Sequence, residues 1–250
     1  MTRAVQTMKI TAKTDKGIVR ANNQDSYAAG ELAGGAVWAV VCDGMGGAAG
    51  GNVASSVAVK TISRAIDDCY RDGMKPQSIF NMLESAVNRA NAFLLDMAQE
   101  DVSLSGMGTT CVVVIVVNGV AYIAHVGDSR VYIIEKSGAF RQITRDHSYV
   151  QELVEQGSIT QAEARTYPGK NIITRAVGIE DRIRVDVSEV PLQKDDVLLL
   201  CTDGLTNFVS DERITEIVVG SSDFEYAEKL VQAANENGGG DNITVVTIAS

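Results

Sequence analysis

Three aspartates stand where apolar runs meet glycine-rich turns. Asp43 closes Val40-Val41-Cys42 and opens Gly44-Met45-Gly46-Gly47; Asp203 follows Leu198-Leu199-Leu200-Cys201-Thr202 and precedes Gly204; Asp241 follows Gly238-Gly239-Gly240 and leads into the apolar run 243–248. If Asp43 ends one strand and Asp241 begins an antiparallel neighbour, pairing places both at one end of a sheet, where Asp203 can join them. Asp128, after Gly127 at a junction between strand-like runs, can project into the same edge. Carboxylates gathered in this way repel by roughly 4 kcal/mol per pair at about 4 Å and an effective dielectric near 20. Such a cluster demands a cation. Carboxylate, carbonyl and water ligands, with no thiolate and no histidine cluster, select hard ions such as Mg2+ or Mn2+ over zinc.

The elements that must hold these residues follow from periodicity. Residues 9–13 alternate as a half-buried strand, Lys16-Gly17 turns the chain, and the polar stretch 20–26 reads as a loop. Residues 37–42 form the strand that delivers Asp43. A helical stripe of Val53, Val57, Ile62, Ile66 and Cys69 begins near Asn52, and a second starts after Pro76 with Ile79, Leu83, Val87, Ala90 and Leu94. The glycines between Asp43 and Asn52 lack the Gly-Lys-Ser/Thr ending of a phosphate loop, so backbone freedom around Asp43 is their simplest role. Residues 109–117 and 120–126 flank an Asn118-Gly119 hairpin turn, and residues 130–135 and 140–143 continue as a meander. Residues 147–178 then break the strand rhythm with two short helices, the second opened by the capping box Thr160-Gln161-Ala162-Glu163. Strands return at 182–190 and 196–201, with helices near 211–219 and after the capping box Ser222-Asp223-Phe224-Glu225. Segregated strands and helices with hairpin-length links predict an α+β fold. About ten strands are too many for one open sheet, so two stacked antiparallel sheets with helices outside is the expected architecture.

Composition excludes several functions. The chain has 250 residues and a net charge of −10 with no basic block, so nucleic acid is not an expected partner. No apolar run approaches membrane-spanning length and the start of the chain shows no export signal, so a cytoplasmic protein is expected. Cys42, Cys69, Cys111 and Cys201 form no C-x-x-C pair and read as reduced core thiols. The residues six places beyond them are Ala48, Lys75, Val117 and Asn207, not the arginine that a cysteine-nucleophile phosphatase needs. An acidic protein that handles an anionic substrate must find positive charge elsewhere. Metal ions can supply it.

In chain order stand Arg20-x-x-Asn23-Gln24-Asp25, Asp43-Gly44-Met45-Gly46-Gly47, Gly108-Thr109-Thr110, Gly127-Asp128-Ser129-Arg130, Asp146-His147-Ser148, Thr202-Asp203-Gly204 and Gly240-Asp241-Asn242-Ile243-Thr244. This series resembles the motifs of bacterial metal-dependent Ser/Thr protein phosphatases of the PPM (type 2C) family, over nearly the whole chain. The resemblance implies one catalytic domain, residues 1–250, built as a four-layer α-β-β-α sandwich with a flap at about 147–178. It implies two Mn2+ or Mg2+ ions, Asp43 bridging them, Gly44 offering its carbonyl to one, and Asp203 and Asp241 completing the other. Asp128 with Asp203 matches the position of a third, weaker metal. Arg20 would grip phosphate, and Gln24, Asp25 and Asn242 would contact metal-held water. Phosphoproteins, a Ser/Thr kinase among them, are the implied partners, and a monomer is the expected state.

Two departures bear on mechanism. Many relatives have histidine at Met45, as proton donor to the leaving oxygen, and a thioether cannot donate; His147 could replace it only if the flap brought it close. Gln24 replaces a glutamate and brings no negative charge. Two other functions compete with this one. Aspartyl-nucleophile phosphotransfer needs Asp-x-Asp, and position 45 is Met. A non-catalytic binding module on the same fold is expected to lose its metal aspartates, and all four are present.

Overall fold

The computed structural model describes residues 8–249; the reading of the chain's first residues as free of an export signal falls partly outside them. In chain order the strands and helices are β1 (Lys9–Asp15), β2 (Asp25–Glu31), β3 (Val37–Met45), α1 (Gly47–Cys69), α2 (Pro76–Glu100), β4 (Gly108–Thr109), β5 (Cys111–Val117), β6 (Val120–Val126), β7 (Arg130–Ile134), β8 (Phe140–Gln142), α3 (Tyr149–Glu155), α4 (Gln161–Ala164), β9 (Asp186–Pro191), β10 (Val197–Cys201), α5 (Asp203–Thr206), α6 (Asp211–Val219), α7 (Tyr226–Glu236) and β11 (Ile243–Ala249). They form two antiparallel sheets, one ordered β1-β11-β10-β7-β8 and the other β2-β3-β5-β6-β9, with β4 added beside β3.

Alternation along the strands builds the layers. On β3, Val37, Ala39 and Val41 face the second sheet and pack with Leu198, Leu200, Val246 and Ile248. Trp38, Val40 and Cys42 face the other way, onto Ile62 and Ile66 of α1 and Leu83 and Val87 of α2. Leu199, Cys201 and Val245 pack against Ile214 of α6 and Leu230 of α7. The result is the expected α-β-β-α order.

Five expectations change. Asp43 and Asp241 do not sit on paired strands: β3 and β11 belong to different sheets, and the two aspartates meet across the sandwich. Strand-end geometry alone does not distinguish a neighbour in a sheet from one stacked on it. The meander likewise breaks after β6, because β6 pairs with β9 while β7 pairs with β10; the chain changes sheets at Gly127-Asp128-Ser129. The supposed loop 20–26 ends in β2, whose sequence Asp-Ser-Tyr-Ala-Ala-Gly-Glu has little strand preference yet pairs along β3 from Asp25↔Asp43 to Glu31↔Val37. Helix α1 starts at Gly47, before Asn52, because its glycines let it approach β3: a Cβ on Gly51 would lie 2.7 Å from Gly44 O. Cys42, Cys111 and Cys201 are buried as expected, while Cys69 is exposed at the end of α1. Among the described residues no helix is long and apolar enough to cross a membrane.

Candidate active site

Both sheets end at one edge, and each aspartate is fixed there by its backbone. Beyond the last β3–β5 pair, Asp43 N–H donates to Thr110 Oγ1 (2.9 Å), Thr110 N–H donates to Asp43 O (2.8 Å), and Thr109 Oγ1 donates to the same carbonyl (2.8 Å). Gly44 N–H is bonded to Gln24 O at 3.1 Å, and a Cβ on Gly44 would fall 2.0 Å from Gly51 O. Only glycine fits there. The second Asp-Gly pair repeats the device, since a Cβ on Gly204 would meet Asn242 O at 1.8 Å. Asp-Gly is therefore less a turn signal here than a mark of backbone crossing close to backbone.

Side-chain partners are few and specific. Asp25, directly opposite Asp43 in the β2–β3 register, accepts from Thr202 Oγ1 (2.9 Å) and Thr244 Oγ1 (2.7 Å) through Oδ2, while its buried Oδ1 has no partner. Asp203 accepts from Asn207 Nδ2 at 2.8 Å through Oδ2, and its buried Oδ1 also has no partner. Asp241 Oδ1 accepts from Asn242 N–H, and its Oδ2 accepts from Arg20 Nη2, both at 2.8 Å. Thr202 and Thr244, polar side chains at the ends of apolar strands, had no assigned role. Their signal was their place beside Asp203 and Asn242.

Two of the residues expected near metal-held water also hold the backbone in place. Asn242 braces the preceding loop: Oδ1 accepts from Gln24 N–H (2.8 Å), and Nδ2 donates to Lys16 O (2.9 Å) and Asn22 O (2.8 Å). It secures the segment that carries Arg20, and it also lines the cavity described below. Gln24 spends its amide N–H on Gly47 O at 2.7 Å, tying that segment to the start of α1.

Crowding sets the electrostatics. Burial, opposed by the two threonine hydroxyls and reinforced by Asp203 and Asp241, pushes the Asp25 carboxyl up to about 7. Burial and then Asp203 and Asp146 raise Asp128 to about 8, and burial and Asp241 raise Asp203 to about 6. Asp43 is pushed well above the usual carboxylate range by lost solvation and by Asp25, Asp203, Asp128 and Asp241. Arg130 gives partial relief to Asp128 and Asp203, but its guanidinium is engaged with Asp146, with Nη2 at 2.6 Å. Buried carboxylate oxygens without donors, on groups that resist ionisation, are what a hard cation satisfies.

Asp43, Asp128, Asp203 and Asp241 line a cavity of about 540 Å3 with Arg20, Met45, Asn171 and Ile173, and Asp25 lies buried behind them. A second, of about 630 Å3, continues from Asp128 and Asp203 beneath α3 and α4. Asn171 and Ile173 come from the 147–178 insertion, and nothing in their local sequence singles them out. His147 does not line either cavity: its side chain is 2% exposed, and burial followed by His125 and Arg175 lowers its pKa to about 4. The flap does not bring it to the cavity in this structure. His125, His147 and Asp186 offer ligand atoms within 4.8 Å of one another, yet Arg175 Nη1 lies 3.0 Å from His147 Nε2 and supplies the positive charge there. His125 is a packed strand residue, as expected, bonded through Nε2 to Arg145 O at 2.9 Å.

A carboxylate cluster at the edge of an α-β-β-α sandwich, with an arginine at its rim, defines a divalent-metal site that can receive an anionic substrate. Residues 18–241 match the family model for protein phosphatase 2C, and the chain belongs to that family. It is 38% identical over 240 residues to the serine/threonine phosphatase stp of Listeria innocua, covering 94% of this chain and 93% of the relative. Among solved structures, the serine/threonine phosphatase Stp1 of Staphylococcus aureus superposes with a TM-score of 0.91 at 35% identity, over 98% of this chain and 96% of that one. The catalytic domain of the phosphatase PstP in complex with two manganese ions gives a TM-score of 0.85 at 34% identity, with 97% of each chain covered. The enzyme reading thus stands over the non-catalytic module.

Proposed function

We propose that the chain hydrolyses phosphoserine and phosphothreonine in proteins with two Mn2+ or Mg2+ ions held by Asp43, the Gly44 carbonyl, Asp203 and Asp241, and a third, weaker ion held by Asp128 with Asp203. The observation that carries this reading is the pair of buried carboxylate oxygens without donors, Asp25 Oδ1 and Asp203 Oδ1, in a cluster whose members are pushed toward protonation. When bound, such ions lower the pKa of water and offset the charge of an incoming phosphate.

The chain's own residues do the rest. Arg20, with half its side chain exposed at the rim, binds the phosphate oxygens through its planar fork. Asp25, steadied by Thr202 and Thr244 and directly opposite Asp43, orients the attacking water for attack in line with the leaving oxygen. Met45 lines the cavity without a proton to give, so the leaving oxygen draws its proton from water there. Residues 147–178 act as a flap, contributing Asn171 and Ile173 to the cavity wall. Residues 1–250 work as a single catalytic domain, monomeric and cytoplasmic, opposing a bacterial Ser/Thr kinase on its targets.

The test is turnover of phosphoserine and phosphothreonine peptides, with phosphotyrosine as control, after chelation and after manganese is restored. Turnover that survives exhaustive chelation sinks the reading. A hydroxylamine-sensitive phosphoenzyme would replace it with the aspartyl route.

A further inference from the structure

The Gly127-Asp128-Ser129 turn, where the chain leaves one sheet for the other, cannot draw on a strand ladder for all its backbone bonds. On one side Ser129 Oγ meets Thr110 Oγ1 at 2.7 Å, and Thr110 clamps Asp43. On the other side His147 takes both backbone groups of Gly127: His147 N–H donates to Gly127 O (2.9 Å), and Gly127 N–H donates to His147 Nδ1 (3.0 Å). His147 is bonded in turn to the insertion, for Thr174 N–H donates to His147 O at 2.9 Å, and the adjacent Ser148 forms a bridge with Ile173, which lines the cavity.

We infer that His147 is a positioning residue: its ring and backbone hold the turn that carries Asp128 and tie that turn to residues 173–174 of the insertion. The inference rests on the reading of Asp128 as a ligand of the weaker metal. Two fixed donors, Gly127 N–H and Arg175 Nη1, approach the ring, and a neutral imidazole accepts at one nitrogen only. Arg175 Nη1 has other acceptors in Arg184 O (3.0 Å) and Asp186 Oδ1 (2.9 Å), so Nδ1 accepts from Gly127 and the proton resides on Nε2, facing Asp186 Oδ2 at 3.4 Å. His125 stacks on the ring with centroids 4.7 Å apart and planes 11° from parallel, which fixes its orientation. Ser148 and Ile173 then move with His147, so a shift of the insertion displaces Asp128. Partners that orient a metal ligand typically change metal affinity about 10–100-fold when removed.

Calorimetric Mn2+ binding without substrate tests this on His147→Asn, which retains an acceptor near the Nδ1 position, and His147→Gln, which does not. Expected is a weakest-site affinity about tenfold lower in the Gln variant and within about twofold of the parent in the Asn variant, the tighter sites unchanged in both. Unchanged affinity in the Gln variant, or equal loss in both variants, overturns the inference, the latter reducing His147 to packing. Nitrogen-15 NMR of the unsubstituted protein tests it without any variant: a proton on Nε2 is expected, and a proton on Nδ1 overturns it. A parent protein that binds no Mn2+ defeats the metal reading instead, whichever tautomer His147 shows.

Discussion

Arg20 Nη2 lies 2.8 Å from Asp241 Oδ2, so the residue assigned to phosphate is already paired with a residue assigned to metal. The pair spans the chain from its first loop to its last strand, and Asn242, next to Asp241, braces that loop at Lys16 and Asn22. Arg20 and Asp241, the proposed phosphate grip and a proposed metal ligand, thereby share one local framework. Because the Arg20 side chain is about half exposed, the pair itself adds little stability.

Arg20→Ala is expected to raise KM for phosphopeptides about tenfold or more, with a smaller effect on kcat, since a charge-assisted bond is worth about 1.5–3 kcal/mol. Arg20→Lys should fall between, keeping the charge but losing the fork. Steady-state kinetics decide it; an unaltered KM removes the phosphate role.

Asp43→Asn and Asp241→Asn are expected to abolish turnover and yet raise the melting temperature of the chelated protein by a few degrees. Each removes one carboxylate from a self-repelling cluster. The added stability that Mn2+ gives the parent should shrink in both. Thermal scans with chelator and with Mn2+ show this, and near-normal turnover in either variant refutes the ligand assignment.

The chelated protein should lose stability as pH rises from about 4 to about 8. Asp25, Asp203 and Asp128 stand at about 7, 6 and 8 against 3.8 when unperturbed, so over that window the folded state binds more protons than the unfolded state. Their contribution is fully present below the unfolded value and is lost as each folded value is passed. Mn2+ should reverse the trend, because it binds the ionised cluster. Melting temperatures at pH 5 and pH 8, with and without Mn2+, provide the check; a chelated protein more stable at pH 8 counts against these shifts.

Thr202→Val and Thr244→Val each remove one hydroxyl from Asp25 Oδ2. Each should cost about 1–3 kcal/mol in urea unfolding at pH 8, where Asp25 is ionised, and less at pH 5, where it is protonated. Combining either with Asp25→Asn should give less than additive loss. Additive losses would mean that the threonines act through their other partners, Thr244 N–H for Thr202 Oγ1 and Thr14 Oγ1 for Thr244 Oγ1, and not through Asp25.

The site was legible in the sequence because its aspartates are local in pattern. Asp43, Asp203 and Asp241 each adjoin an apolar run, and a buried strand that ends in a carboxylate has few structural uses. The number of strands announced two stacked sheets and the helical stripes of α1 and α2 announced what covers one of them, and the two apolar faces of β3 fit that layering. Strand β2 was hidden because its small and polar residues pair only where β3 is present to receive them. The roles of Thr202, Thr244 and Asn242 were hidden as well: a hydroxyl or amide is satisfied by whatever lies within about 3 Å, and those partners are remote in the chain.

The order of strand-ending aspartates and glycines, carried by residue type and alternation, determined by itself that this chain gathers carboxylates into a cluster that calls for hard cations. Only the tertiary structure decided that Asp43 and Asp241 meet across the sandwich, that Asn242 braces the Arg20 loop, and that His147 is buried against Gly127, outside the lining of both cavities. Sequence patterns report which face of an element is apolar. Which sheet a strand joins, and which donor finds which acceptor, is settled by long-range packing once every buried polar group must find a partner.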